Sequence, residues 1–372
     1  MEELIVQSGA VIALRLFDIA YSIDLQKAET LWAERFGGTT TRSRLNTTPS
    51  KAVAFEVPPV QITLESVALA VAGVTMNALA TARLYEFGVV AFSLKLTANL
   101  LPWREFSAFA NAVDSSIGPH VETEVWKGLL AKIRQFLTPA MTRPNQLLLE
   151  EDYLIAVVHQ WNKPVMGQEL PDLINLIPLL SGEQRPLSEG AHRDLLKQRF
   201  SYYQDDLVVL TWDRAFIYEP RTDSDVVDIL EVANAQLLEL RYYDELLDDE
   251  LPRMYELVAR TRRATLLAPR RFADLARKLH TLVAEVTELT EKADNVLQVT
   301  EDVYLARIYM TALKLFRVSA VSAAVDRKLS IVRDTYTALY DEASGARGEL
   351  LEIAVVLLIV IEIVLALLRH TG

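Results

Sequence analysis

The feature that most constrains the fold of this chain is a long apolar segment, Leu350 to Leu368. It comprises fifteen Leu, Ile or Val residues, two Ala and two Glu. As an α-helix it would be about 28 Å long, close to the roughly 30 Å hydrocarbon core of a bilayer. Its apolar residues favour insertion by roughly 4 to 9 kcal/mol, whereas a central carboxylate opposes insertion by about 3 kcal/mol. The sequence therefore predicts one transmembrane helix, which we place at 347–370.

Two acids lie inside this predicted anchor and leave two interpretations open. Acidic side chains inside a membrane usually serve a function or reach the interface. Glu362 is either protonated and hydrogen-bonded to a neighbouring copy, or extended toward the headgroups. A buried oligomerisation helix is the alternative to a membrane span, although a helix that is apolar on every side suits lipid better. The residues assigned to the membrane anchor are Leu351, Glu352, Leu357, Ile361, Glu362 and Leu368.

Basic residues set the predicted orientation of the anchor. Arg333 and Arg347 precede the apolar segment and Arg369 follows it, which modestly favours a large domain on the cytoplasmic side. The chain opens with Glu2 and Glu3, where a secretory signal peptide would carry positive charge. We therefore expect a tail-anchored, single-pass protein of the cell inner membrane.

Composition and missing motifs exclude several classes of function. A net charge of -12 argues against nucleic-acid binding by the whole surface, so a polyanionic partner would have to meet a local basic patch. The absence of cysteine excludes thiolate catalysis and zinc sites built on sulfur. Neither a phosphate-binding loop, a dinucleotide-binding fingerprint, a zinc-protease motif nor a hydrolase nucleophile motif occurs. The sequence accordingly predicts no catalytic residue, cofactor, metal site or small-molecule substrate.

The first 220 residues mix strand patterns with helix patterns and indicate an α+β domain at 1–220. The predicted strands are Val11–Ser22, Ala52–Glu56, Thr75–Phe87, Val89–Thr97 and Tyr153–Trp161, followed by a hairpin within Leu207–Pro220. The predicted helices are Leu25–Arg35, Trp103–Val113, Glu122–Phe136 and Glu189–Lys197.

After Pro220 the apolar residues recur at helical spacing, which predicts a helical stalk at 221–346. Pro252 should kink or break its first helix, and Pro269 should start the second. A third helix is expected from Thr300 to Ala343. We expect the three helices to pack as antiparallel neighbours, so the fold class is α+β with a long helical hairpin and a transmembrane helix.

A basic turn stands out in this acidic chain. Arg260 to Lys278 holds seven Arg or Lys residues and one acid, Asp274. In an antiparallel stalk this turn would lie at the pole where the bilayer begins, and each arginine would gain about 1 kcal/mol from anionic headgroups. RNA is the alternative polyanion, and a solvated helix hairpin needs no ligand. The candidate contact residues are Arg262, Arg263, Arg270 and Arg271.

Three stretches resemble the required-for-meiotic-nuclear-division family: Asp228 to Glu256, Asp326 to Leu367, and the strand, glycine and strand of "ARLYEFGVVAF" from Ala82. The pair Leu351 and Glu352 and the internal Glu362 match the pattern of that family. The resemblance implies a membrane-associated protein with a C-terminal membrane segment and no assigned catalytic residues. Relatives in that family include an oligomeric inner-mitochondrial-membrane protein that supports translation.

These observations predict a membrane scaffold or interaction protein that contacts lipids and forms a homo-oligomer. A tether that binds RNA or ribosomes through the basic turn is the first alternative. An enzyme of unrecognised type, with a pocket in the α+β domain, is the second.

Overall fold

The computed structural model describes residues 3–36, 40–42, 58–121, 124–145, 148–183, 185–221, 225–262, 303–335, 337–338 and 355–359, with separate helical positions between 274 and 287. The chain forms two compact units. The first comprises Met1–Tyr242 with Lys292–Ala320, and the second comprises Tyr243–Glu291 with Val321–Gly372.

Among the described residues, the first unit contains a mixed sheet of eleven strands and a separate two-stranded sheet. The strands are β1 (Ile5–Asp18), β2 (Ala20–Ile23), β3 (Thr40–Arg42), β4 (Val60–Thr63), β5 (Val67–Val71), β6 (Val74–Leu84), β7 (Val89–Thr97), β8 (Leu101–Pro102), β9 (Met141–Pro144), β10 (Glu150–Trp161), β11 (Arg199–Phe200), β12 (Leu207–Leu210) and β13 (Arg214–Tyr218).

The strand order is β11-β12-β13-β10-β1-β7-β6-β4-β3, with β5 paired to β6 and β8 paired to β1. Neighbours are antiparallel except β10 and β13, which run parallel. Strands β2 and β9 form the separate pair. The central strand β1 is buried along ten consecutive residues, as expected for a strand whose two faces are both covered.

The helices are α1 (Leu25–Phe36), α2 (Trp103–Ile117), α3 (Glu124–Leu137), α4 (Leu170–Leu173), α5 (Ile177–Ser181), α6 (Glu189–Leu195), α7 (Asp225–Arg262), α8 (Val303–Leu315) and α9 (Val318–Thr335). On one face of the sheet, Val11 and Phe17 of β1 share an apolar core with Phe106 of α2 and Ile133 of α3. On the other face, Tyr153 of β10 contacts Phe316, which follows α8, with ring centroids 5.4 Å apart. The first unit therefore has helices on both sides of its sheet.

The predicted α+β class with later helices is confirmed, and the structure adds that the N-terminal part is built on a large mixed sheet. The strand predicted at Val89–Thr97 and the hairpin of β12 and β13 match the observed elements. The strand predicted at Ala52–Glu56 lies outside the described residues.

Two predictions about the later helices need correction. Helix α7 is continuous from Asp225 to Arg262 with Pro252 inside it, so the proline does not end the helix. The third predicted helix is interrupted: α8 ends at Leu315, and Arg317 has a φ of 58° before α9 begins. A positive φ cannot continue a right-handed helix, and the buried ring of Phe316 fixes this turn against the sheet.

The second unit contains the last part of α7 and most of α9. Its buried apolar side chains include Leu247, Met254, Val325, Leu329 and Val332. Among the described residues, no single helix is long and apolar enough to span a bilayer; α8 and α9 meet that criterion only when taken together across their bend. The described residues do not confirm the predicted antiparallel stalk.

Candidate functional site

Most residues predicted to contact a membrane or RNA fall outside the described part of the chain. Arg262 is the last residue of α7, whereas Arg263, Arg270 and Arg271 lie outside the described residues. Of the anchor residues, Leu357 lies in a described helical stretch, residues 355–359. Those outside it are Leu351, Glu352, Ile361, Glu362 and Leu368.

The five described residues of the predicted anchor segment, 355–359, are all exposed. Val355, Val356, Leu357, Leu358 and Ile359 have exposed fractions of 52%, 54%, 56%, 62% and 50%. These residues are consecutive in a helix, so they point in every direction around its axis. A helix with large apolar side chains exposed on every side needs a non-aqueous surrounding or a partner.

Inside the first unit, a buried ionic network joins β6 to α7. Arg83 donates hydrogen bonds to Glu231 at 3.2 Å, to Asp228 at 2.8 Å and to Gln61 at 3.0 Å. The Tyr85 hydroxyl donates to Glu231 at 2.7 Å. Burial would lower the pKa of Arg83, but the carboxylates of Glu231 and Asp228 raise it well above its usual value. The guanidinium therefore stays charged and holds the helix on the sheet.

A second charged cluster lies where helix α2 ends, beside strands β1, β10 and β13. Arg214 donates to Asp114 at 2.6 Å and to the Leu179 carbonyl at 2.9 Å. Arg15 donates to Glu150 at 3.0 Å and to the carbonyl of Ile117, the last residue of α2, at 3.2 Å. Cations are stabilised at the C-terminal end of a helix, where its carbonyls are unpaired.

Two further acids of this cluster have raised pKa values, which would suit acid-base chemistry. Burial raises the pKa of Asp152 and that of Asp213, although Arg15 and Arg214 respectively oppose this effect. Raised carboxyl pKa values are typical of proton donors in active sites. The adjoining cavity, however, has a volume of about 10 Å³, which is room for about one water molecule. Among the described residues, no group of three or more metal-ligating side chains occurs either.

The most exposed candidate is the loop between β11 and β12, residues 201–206, which we call the tyrosine loop. Tyr202 and Tyr203 are 65% and 50% exposed, and their ring centroids lie 4.8 Å apart at an interplanar angle of 86°. The ring of Tyr304, near the start of α8, lies 5.5 Å from that of Tyr202. The Arg221 guanidinium sits over the Tyr203 ring at 5.1 Å.

Sequence reasoning missed this loop because it looks for periodic patterns and known motifs. The loop reads "SYYQDD" between two short strands. From the sequence alone, two adjacent tyrosines at this position could be buried at the end of a strand or exposed on the surface. A signal was nevertheless present, since aspartates and serine beside aromatic residues favour a tight loop over a continued strand.

One comparison with known proteins found an archaeal relative. The chain is 29% identical over 195 residues to "Uncharacterized protein MJ0711" of Methanocaldococcus jannaschii, a match that covers 52% of this chain. The same match covers 59% of the length of that relative. No solved structure gave a significant match.

The comparisons overturn the resemblance to the required-for-meiotic-nuclear-division family. Nothing found points to that family, and the family whose sequence model matches is "Uncharacterized protein MJ0711, N-terminal domain", over residues 8–225. The misleading stretches are local patterns: Ala82 to Phe92 forms a hairpin of β6 and β7, and Asp228 to Glu256 is an amphipathic part of α7. Similar patterns arise in unrelated folds because they report only periodicity and a turn. Since the match covers more than half of the chain, this protein belongs to the MJ0711 N-terminal domain family.

Proposed function

We propose that this protein is a single-pass membrane protein, anchored through residues 350–368, whose α+β unit presents an interaction surface at the cytoplasmic face. The observation that supports the proposal best is the exposure of Val355–Ile359, five consecutive large apolar side chains in one helical stretch. Continuous apolar surface of this kind marks a membrane or protein contact.

The other apolar helices are better explained as parts of the protein interior. In α8, Leu305, Ile308 and Ala312 are buried. In α9, Val325 and Val332 are buried as well. Because these helices already have protein on one side, the 350–368 segment is the better candidate for an anchor.

Self-association and a stalk belong to the same proposal. A carboxyl at position 362 would need a partner in the hydrocarbon region, and a second copy of the helix would supply one. We keep the helical stalk in this proposal, with the part of α7 after Tyr242 as its described portion. The carboxylates of Glu231 and Asp114 accept hydrogen bonds from Arg83, Tyr85 and Arg214 within the unit, and this is consistent with a structural role for both clusters.

Membrane fractionation tests the anchor. The full chain should sediment with membranes and come into solution only with detergent. A Leu357→Arg/Leu358→Arg variant should lose most membrane association, because each arginine at the centre of a span costs about 2.5–3.5 kcal/mol. The matched control, Val303→Arg/Met310→Arg, places two arginines at exposed apolar positions of α8 and should fractionate like wild type. Wild-type protein in the supernatant after ultracentrifugation without detergent contradicts the proposal.

The role of Glu362 has its own measurement. Glu362→Leu should give smaller oligomers in detergent than wild type if the carboxyl bonds to a neighbouring copy. An unchanged size distribution would favour an acid that extends to the headgroups.

A further inference from the structure

The tyrosine loop combines three features that a solvated loop does not need: a fixed backbone, exposed aromatic rings and surrounding arginines. We propose that this surface binds single-stranded RNA by stacking bases on Tyr202 and Tyr203. The inference is independent of the membrane anchor and uses residues other than the basic turn.

Hydrogen bonds to Asp206 and Gly167 fix the backbone of the loop. The backbone N–H groups of Tyr202 and Tyr203 donate to the buried carboxylate of Asp206 at 2.8 and 3.0 Å. The backbone N–H of Gly167 donates to the Gln204 carbonyl at 2.8 Å. Gly167 approaches so closely that a Cβ atom there would lie 1.9 Å from the Asp206 carbonyl oxygen. The chain therefore uses a glycine and a buried acid to fix a loop whose side chains face solvent.

The fixed loop exposes the rings of Tyr202 and Tyr203 to solvent. Tyr202 and Tyr203 remain largely exposed although Tyr304 and Arg221 lie beside them. Their rings are nearly perpendicular, so their faces point in different directions. Base stacking on such rings is the sequence-tolerant part of single-strand recognition. Ordering the rings in advance reduces the entropy lost when a base stacks.

The surrounding charge favours a polyanion. The segments 197–206, 218–221 and 303–307 contain four exposed cations, Lys197, Arg199, Arg221 and Arg307. The acids of these segments are Asp205, which is exposed, and Asp206 and Glu219, which are buried; the Glu219 carboxylate pairs with Arg221 at 2.8 Å. These segments hold four cations and three acids, whereas the protein as a whole carries a net charge of -12. Arginines near aromatic rings can pair with phosphates while the rings hold the bases.

The chemistry selects a single strand over a duplex. A duplex keeps its bases stacked inside, whereas unpaired bases are free to stack on aromatic side chains. A protein partner would gain from the tyrosines but would not need the exposed arginine that lies over the Tyr203 ring.

Fluorescence polarisation of the full-length protein in detergent micelles, with a labelled oligouridylate, tests this inference. Wild type should bind at low salt and bind a duplex RNA of equal length more weakly. Tyr202→Ala/Tyr203→Ala should weaken binding at least about fivefold, which corresponds to the removal of one stacked base. Tyr202→Phe/Tyr203→Phe should bind like wild type because its rings still stack. The matched control is Trp212→Ala, which removes an equally exposed ring from the turn at the other end of β12.

The charges are tested separately. Replacing Arg221 and Arg307 with Gln should reduce the slope of log affinity against log salt by roughly 0.7 for each phosphate that is no longer neutralised. Asp205→Asn should strengthen binding, because it removes the exposed acid. The inference is overturned if wild type fails to bind the single strand at low salt, or if the alanine pair leaves its affinity unchanged. It is also overturned if binding disappears only when Arg262, Arg263, Arg270 and Arg271 are replaced by Gln, since the basic turn would then be the binding site.

Discussion

We call the first unit the sheet unit and the second the helical unit. Arg83 in the sheet unit and Lys328 in the helical unit are both cations that contact two carboxylates. The side chains of Arg83 and Glu231 are 9% and 5% exposed, and Asp228 completes that group at 24%. Lys328 contacts Asp244 at 2.6 Å and Asp248 at 2.7 Å, but the Asp248 side chain is 61% exposed. The geometry is similar, whereas the access to water differs.

This difference teaches that an ionic contact stabilises a fold according to its surroundings. When one partner of a buried pair is removed, the other is left charged in a poor solvent. When one partner of an exposed pair is removed, water replaces it. The sheet unit should therefore depend on its charges, and the helical unit should not.

The largest expected effect follows from breaking the buried network. Arg83→Met should lower the free energy of unfolding of the sheet unit by about 3–5 kcal/mol, because Glu231 and Asp228 lose their counter-charge. Urea unfolding monitored by tryptophan fluorescence measures this, since all five tryptophans lie in that unit. Arg104→Met, at an exposed position of α2, is the control and should change stability by less than about 0.5 kcal/mol. A decrease below about 1 kcal/mol for Arg83→Met would show that water reaches the network.

A smaller effect should appear as a pH dependence at Asp152. Burial raises the pKa of this carboxyl in the folded state above its ordinary value of 3.8, so the folded protein binds the proton more tightly than the unfolded chain does. Stability is therefore lost as pH rises from about 3.8 through the folded-state pKa. Asp152→Asn should be more stable than wild type at pH 7 and equal to it below this window. The control is Asp172→Asn, at an exposed acid of α4. It should leave the difference between the stability at pH 7 and the stability below this window as it is in wild type. Equal stability of Asp152→Asn and wild type at neutral pH contradicts the cost of charging this buried acid.

The smallest effect should come from the exposed counterpart. Lys328→Met should cost less than about 1 kcal/mol, because Asp248 and Asp244 keep access to water. Hydrogen exchange of peptides from the last part of α7 measures the stability of this unit. The control is Arg327→Met, an exposed position that lies in α9 as Lys328 does. A destabilisation comparable to that of Arg83→Met would end the proposed distinction between the units.

Local patterns in the sequence predicted much of the sheet unit. The strand at Val89–Thr97 was recognisable from its β-branched and aromatic residues, and α2 from its helical apolar spacing. The short strands β4 and β5 were missed because each has only four or five residues. The interruption at Arg317 was missed because the sequence around it has no glycine or proline.

The candidate surface could not be predicted in the same way. Tyr202 and Tyr304 lie far apart in the chain, and only packing of α8 beside the β11–β12 loop brings their rings together. Asp206 looks like an ordinary turn acid, and its burial beneath the two tyrosines follows from the close approach of Gly167.

By itself, the sequence determined the α+β character, the change to helices after Pro220 and the apolar segment of residues 350–368, because each depends on residues close together in the chain. Tertiary structure alone decided that Arg83 meets Glu231, that two arginines converge on the end of α2, and that Tyr202 and Tyr203 stay in water. Those outcomes depend on strand order and on helix docking, which bring together residues that no local periodicity connects.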